Sequence, residues 1–234
     1  NTALVLQRLG AKAGLVSATG DDAMAGLLAD PFAGALDRIA RLNARTGISV
    51  GVAQPDGERS FVSFAGHLDL ADLALMRRQL AGWPLSGALA LVSGGFAMPG
   101  LRPGMRALLD HLRQEGSETA IDPGWPGEGW TSATRAEAMM WAEGARYILM
   151  NDKEIKGLME TPDPQRAAEA LHARLAPGTT RSLGQSKRAV RSPALSPAES
   201  TARPKAIPSC CEVLSRPAAS PALPAGTPAL AAVV

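Results

Sequence analysis

Several short stretches of this 234-residue chain place amide, carboxylate and glycine groups where they could handle a polar ligand. The first opens the chain: Asn1-x-Ala3, then Gly10, then Gly20 followed by Asp21-Asp22. An asparagine amide offers donors and an acceptor together, which suits the hydroxyls of a sugar. The same Asn1 has a purely structural use as the N-cap of a helix over Thr2–Leu9 that stops at Gly10. The second stretch is Tyr147-Ile148-Leu149-Met150 running into Asn151-Asp152-Lys153-Glu154, an apolar strand that ends in a polar cluster. A carboxylate with a nearby amide can act on Mg2+ through water, since that cation takes oxygen ligands and usually keeps several waters. Asn151 and Glu154 also stand at capping-box spacing, and both readings can hold at once.

Two weaker signals follow other strands. Ser93-Gly94-Gly95-Phe96 would let backbone approach a ligand, but no Lys-Ser/Thr follows to make it a phosphate loop. Asp122-Pro123-Gly124-Trp125 reads as a structural turn. His67, His111 and His172 are scattered without metal-ligand spacing, and His111 and His172 fall on helical patterns where a surface position is expected. Cys210 and Cys211 are adjacent, a poor geometry for a structural disulfide or a metal site. No Gly-x-Ser-x-Gly elbow or Cys-His pairing points to hydrolysis.

The elements that must position these groups alternate between strand and helix. Apolar or β-branched runs predict strands at Ala13–Ser17, Leu89–Ser93, Glu118–Ile121 and Tyr147–Met150. Helical patterns cover Asp22–Leu28, Leu70–Leu80, Met105–Gln114, Thr134–Glu143 and Pro164–Leu175. This spacing predicts an α/β fold, a three-layer parallel sheet with helices on both faces. Ile48–Val52 and Arg59–Phe64 flank the turn Pro55-Asp56-Gly57, so residues 46–66 read as a hairpin that stands off the sheet as a lid.

Composition divides the chain at about residue 180. Residues 1–180 hold all nine aromatic residues and carry 17 Lys+Arg against 20 Asp+Glu. Residues 181–234 contain eight Pro, eight Ser and twelve Ala, with 7 Lys+Arg against 2 Asp+Glu. A segment so rich in proline and so poor in bulky groups cannot offset its chain entropy with a core, so disorder is expected from residue 181 onward. The net charge of +2 offers no reason to expect a nucleic-acid partner, and no apolar stretch approaches a membrane span. With no signal-peptide pattern after Asn1, the cytoplasm is the expected compartment, and the chain is expected to begin partway through a longer protein.

The Asn1, Gly10, Gly20 spacing resembles the N-terminal signature of the PfkB, or ribokinase-like, carbohydrate kinases. Asn151-x-x-Glu154 resembles that family's second motif, and Thr46-Gly47 leads into a hairpin where the family has its lid. The resemblance implies an ATP-dependent transfer of the γ-phosphoryl group to a sugar hydroxyl, with ATP and Mg2+ as cofactors. It makes Asn1 a sugar ligand, has Asn151 serve the nucleotide phosphates, and gives Glu154 to the metal. It also implies a homodimer formed through the lid.

The sequence departs from the family in three places. The Gly-Gly pair before the Asn and the first strand are not in the sequence as written, and no Gly-Ala-Gly-Asp segment occurs in residues 155–234. In the family that segment supplies the base and the anion hole, so no catalytic residue is assigned here and the chain is expected to be inactive. After Thr180 the family would continue with an apolar strand, whereas this chain turns to Arg181-Ser182-Leu183-Gly184-Gln185. Such a switch is what a frame shift in GC-rich coding DNA produces. A non-catalytic sugar- or nucleotide-binding remnant is the alternative reading.

Overall fold

The computed structural model describes residues 2–32, 34, 37–53, 55 and 59–175, together with the backbone of 181–185 and 229–233. Helix α1 (Thr2–Arg8) leads into strand β1 (Ala13–Thr19), with Gly10 at φ 75° turning the chain out of the helix. Asp22 caps α2 (Ala23–Ala29) by accepting the Met24 N–H. The short strand β2 (Arg38–Arg41) follows, then the antiparallel hairpin of β3 (Ile48–Ala53) and β4 (Arg59–Phe64). Asp56 and Gly57 of the expected turn lie outside the described residues. The remainder runs α3 (Leu73–Leu80), β5 (Leu89–Ser93), α4 (Met105–Gln114), β6 (Glu118–Asp122), α5 (Ser132–Gly144), β7 (Tyr147–Asn151), α6 (Asp152–Met159) and α7 (Pro164–Arg174).

Two further strands complete the sheet: β8 (Arg181–Gln185) and β9 (Ala229–Val233). The sheet has seven strands, all parallel, in the order β2-β1-β9-β5-β6-β7-β8. Both β8 and β9 lie in the stretch after residue 180. The prolines of the tail run from Pro193 to Pro228, and both strands fall outside that run. Averaging composition over 181–234 concealed two short proline-free segments, each able to donate a full ladder of N–H groups. Residues 186–228 lie outside the described residues.

One face of the sheet carries the main core. Val16, Ala18, Val92, Ile121, Ile148 and Met150 alternate toward it, and helices α3 to α7 cover them. The opposite face is covered unequally. A small second cluster joins Ala3 of α1 to Leu15 of β1, while Leu91 of β5 and Leu149 of β7 remain half-buried. The α/β fold with helices on both faces is as expected, but the two outer layers differ greatly in extent. Because every strand runs the same way, the loops that follow β1, β5, β6 and β7 gather at one edge, where α/β sheets bind ligands.

Candidate functional site

At the β1 side of that edge, Gly20 sits so close to the following loop that a Cβ would stand 2.3 Å from Thr46 N and 2.4 Å from Ala44 O. Only glycine permits that approach. The Gly20 N–H donates to Thr46 Oγ1 at 3.2 Å. Asp22 accepts from the Thr46 hydroxyl at 2.7 Å and from the Thr46 N–H at 2.8 Å. The Thr46 hydroxyl, then the Thr46 amide, hold the Asp22 carboxyl below its usual range. Thr46 immediately precedes the hairpin, so these bonds fasten one root of the lid to β1. His67 ties the other root to the first: its Nδ1 accepts the Gly47 N–H at 2.9 Å, which leaves the ring proton on Nε2. Burial lowers the His67 pKa, so the fold holds the neutral ring.

Between hairpin and sheet lies a cavity of about 570 Å³. Strand β1 lines it with Ser17 and Thr19, the hairpin with Ile48, Ser49, Ser63 and Phe64, and α1 with Ala3. Phe96 and Trp125, from the loops after β5 and β6, form an aromatic side. Those two loops are tied together, since the Phe96 N–H donates to Pro123 O at 2.8 Å and the Gly94 N–H to Asp122 O at 2.9 Å. Phe96 is held from behind by Trp141, with centroids 4.7 Å apart, and by the Arg102 guanidinium at 4.9 Å from its ring.

Further along the same edge stand two carboxylates. Asp122 ends β6, accepting from Gly124 N at 3.0 Å and from Ser93 Oγ at 3.4 Å, and burial raises its pKa. Glu154 lies in the first turn of α6 and is buried. Desolvation, opposed by the Asn151 backbone bond and assisted by the Asp122 charge, pushes its pKa up to about 7. Asn151 caps α6 with Oδ1 accepting from Lys153 N (2.9 Å) and Glu154 N (3.0 Å), and Glu154 Oε2 accepts the Asn151 N–H at 2.8 Å. The capping box read from the sequence is formed in full.

Asn151 and Glu154 are thus brought together, as their spacing suggests. Asn1 lies outside the described residues; Ala3, two residues on, lines the cavity. Sequence reasoning missed Asp122, whose Asp-Pro-Gly setting reads as a turn and whose carboxyl does bond its own turn. The signal available was its position at the end of a parallel strand, beside the strand that runs into Asn151 and Glu154. It also missed the Asp22–Thr46 and His67–Gly47 pairs. Contacts across 24 and 20 residues leave no local pattern. His172 is exposed as expected, while His111 is half-buried. Among the described residues no group of three or more His, Cys, Asp or Glu could hold a metal by protein ligands alone, and no helix is long and apolar enough to cross a membrane.

Comparison with known proteins places this geometry. The family model for pfkB family carbohydrate kinases matches residues 1–183. Among solved structures, a fructokinase from Xylella fastidiosa superposes with a TM-score of 0.61 at 19% identity, over 78% of this chain and 57% of that one. A PfkB protein from a Polaromonas species gives 0.60 at 19% identity, over 78% and 64%. The Arabidopsis thaliana ribokinase complexed with ribose and ATP gives 0.56 at 16% identity, over 78% and 57%. These likenesses show a shared fold. The chain matches 57% to 64% of the length of these relatives. Among curated proteins, none matches this sequence.

Proposed function

Because the chain belongs to the pfkB family of carbohydrate kinases, we propose that it holds the sugar and metal portions of an ATP-dependent enzyme that phosphorylates a sugar hydroxyl. One observation carries the reading. The cavity beneath the hairpin, the half-buried Asp122 and the buried Glu154 share one edge of a parallel sheet, and the Phe96–Pro123 hydrogen bond couples the loops after β5 and β6. The relative complexed with ribose and ATP supports a sugar acceptor and an ATP donor.

Asn1, by its match to the family signature and its closeness in sequence to cavity-lining Ala3, is assigned to the sugar hydroxyls. Glu154 and Asp122 fit a hydrated divalent cation. Burial pushes both carboxyls toward protonation, and at Glu154 the Asp122 charge adds to it, so both gain from a nearby positive charge. When bound, Mg2+ would supply charge neutralisation on nucleotide phosphates. Asn151 works at one remove, because its Oδ1 is engaged in fixing the first turn that carries Glu154. We read the hairpin as a lid and as the contact with a second copy of the chain.

Residues 155–234 contain no Gly-Ala-Gly-Asp segment, so positioning is retained without a base or an anion hole, and turnover should be negligible. A non-catalytic sugar- or nucleotide-binding role is the alternative reading. A coupled ATP-consumption assay over a panel of sugars tests this, and clear turnover would refute the inactivity. Calorimetry with Mg2+ and a nucleotide tests the metal portion: binding by the native chain, lost in Glu154→Gln, is expected. Failure to bind any sugar and any Mg2+–nucleotide would remove the reading altogether.

A further inference from the structure

One wall of the cavity under the hairpin comes from two loops rather than from strands. The loop after β5 contributes Phe96, Ala97 and Pro99, and the loop after β6 contributes Trp125 and Gly127. The second loop is built to be loose. Residues 123–130 hold three glycines and two prolines, and Gly124 and Gly129 take the left-handed region at φ 71° and 77°. Glycine loses more conformational freedom than any other residue on being fixed, so such a loop needs an outside tie to keep one shape. Backbone groups hold its two ends: Pro123 O accepts the Phe96 N–H at 2.8 Å, and Gly129 O accepts the Thr134 hydroxyl at 2.9 Å. For the stretch between, Trp125 to Glu128, the hydrogen bond that reaches another element among the described residues runs from Arg102 Nη2 to Glu128 Oε1, at 2.6 Å.

Arg102 is itself firmly seated. Its Nε donates to both Glu137 oxygens, at 2.8 and 2.9 Å, and its Nη2 donates to Glu137 Oε2 at 2.7 Å. Glu137 belongs to α5, whose Ala138 and Trp141 lie in the main core, so this fork fixes the guanidinium to a packed helix. From there its Cζ stands 4.9 Å from the centre of the Phe96 ring. One side chain, 25% exposed, thus grips the aromatic residue of one loop and the acid of the other. Glu137 alone already neutralises the guanidinium. What the second carboxylate adds is the position of the loop that carries it.

Resting on the assignment of this cavity to a sugar, we propose that Arg102 is a positioning residue for that ligand, holding both loops of the cavity wall, through Phe96 and Glu128, in the shape the sugar meets. A wall formed in advance spares the bound state the cost of ordering the loop. Arg102 itself does not line the cavity and touches the ligand only through the residues it holds.

The exposed partner supplies the test, since Glu128→Ala frees the loop and leaves Arg102 seated on Glu137. In the full 234-residue chain the midpoint of urea unfolding should stay where it is, while amide hydrogen exchange across residues 124–129 speeds up by about tenfold. Calorimetry with ribose and with fructose reads the ligand: the sugar that binds the native chain should bind Glu128→Ala about threefold to tenfold more weakly. Glu128→Gln keeps an oxygen to accept from Nη2 and should restore most of that loss. Arg102→Met should weaken the same sugar at least as much as Glu128→Ala, and the two substitutions together no more than Arg102→Met alone. If Arg102→Met does not fold, the Glu128 variants decide. Unchanged exchange in the loop, or faster exchange with unchanged sugar affinity, overturns the proposal and leaves the sugar site standing. A fall in the unfolding midpoint of Glu128→Ala overturns it as well, because the bond would then serve stability. If neither sugar binds the native chain, the proposal falls together with the sugar assignment of this cavity.

Discussion

At the β5–β7 side of the sheet edge, Asp122 and Glu154 stand on elements anchored by Trp141, Ile148 and Ile155, each buried in the main core. At the β1 side, the hairpin leaves Val62 74% and Phe61 63% exposed, and hydrogen bonds at its two roots carry the attachment. The carboxylate side is held by packing, which fixes geometry before any ligand arrives. The lid side is held at Thr46 and His67 and carries unburied apolar strands, the arrangement of a part that moves or meets a partner. A two-stranded ribbon is marginal alone in water. The two sides should therefore answer differently to the same kind of substitution, and that difference can be measured.

The largest effect is expected at Gly157, on the packed side. A Cβ there would lie 2.1 Å from Trp130 Cδ1, so Trp130 would have to leave its seat against α6 and Phe96. Helix propensity alone would favour replacing this glycine. Gly157→Val should instead cost about 3–4 kcal/mol in urea denaturation, with a shift in tryptophan emission. A neutral or stabilised variant would show that the carboxylate side is not packed as described.

Glu154 comes next. Its pKa rises from 4.5 unfolded to about 7 folded, so the native state binds more protons between those values. Stability from this group is full below about 4.5 and is lost as pH climbs through 7. Glu154→Gln keeps an acceptor for the Asn151 N–H and removes the ionisation. The variant should be more stable than the native chain at pH 8 by about 2–3 kcal/mol and no different at pH 4. Identical pH profiles for the two chains would contradict the burial of this carboxyl.

On the lid side, Thr46→Val removes one hydroxyl that both donates to Asp22 and accepts from Gly20, leaving a buried N–H without a partner. A loss of about 1–2 kcal/mol is expected, with faster hydrogen exchange confined to residues 44–67. His67 adds a pH dependence of opposite sense to that of Glu154. Its pKa is lowered from 6.5, so stability is full above that value and declines as pH falls below it, because protonation takes the acceptor from Gly47. Global rather than local exchange in Thr46→Val would mean that the lid and the sheet open as one unit.

The same contrast explains what could be read from residues alone. Strands β5 and β7, helices α4 and α7 and the hairpin are periodic over their own lengths, so Leu89–Ser93 and Met105–Gln114 are legible with their ends. The strand β2 is not, because Arg38-Ile39-Ala40-Arg41 at the sheet margin is short and flanked by charge. Asn151 and Glu154 could be paired because their partnership is local, three residues apart on one turn. The clamp of Asp22 on Thr46 and the approach of Asp122 to Glu154 depend on the order of strands in the sheet, which no single segment encodes. For β8 the residues carry little strand signal, since Arg181-Ser182-Leu183-Gly184-Gln185 holds one bulky apolar group.

The smallest stability effect, and the sharpest test of the lid, is expected at Val62. It pairs with Val50 across the hairpin, and both side chains are largely exposed. A lysine in place of Val62 meets solvent there, so the folding free energy should change by less than about 0.5 kcal/mol. If the hairpin face binds a second copy, however, the same substitution buries a charge in that contact, and sedimentation should show dimer giving way to monomer. Loss of the dimer with unchanged stability assigns the apolar face to an interface. Unchanged stability with an unchanged mass leaves the exposed valines to lid closure over the cavity, and then Val62→Lys should weaken ligand binding instead. A large loss of stability in the monomer would mean that the hairpin packs onto the sheet, and the contrast between the two sides would disappear.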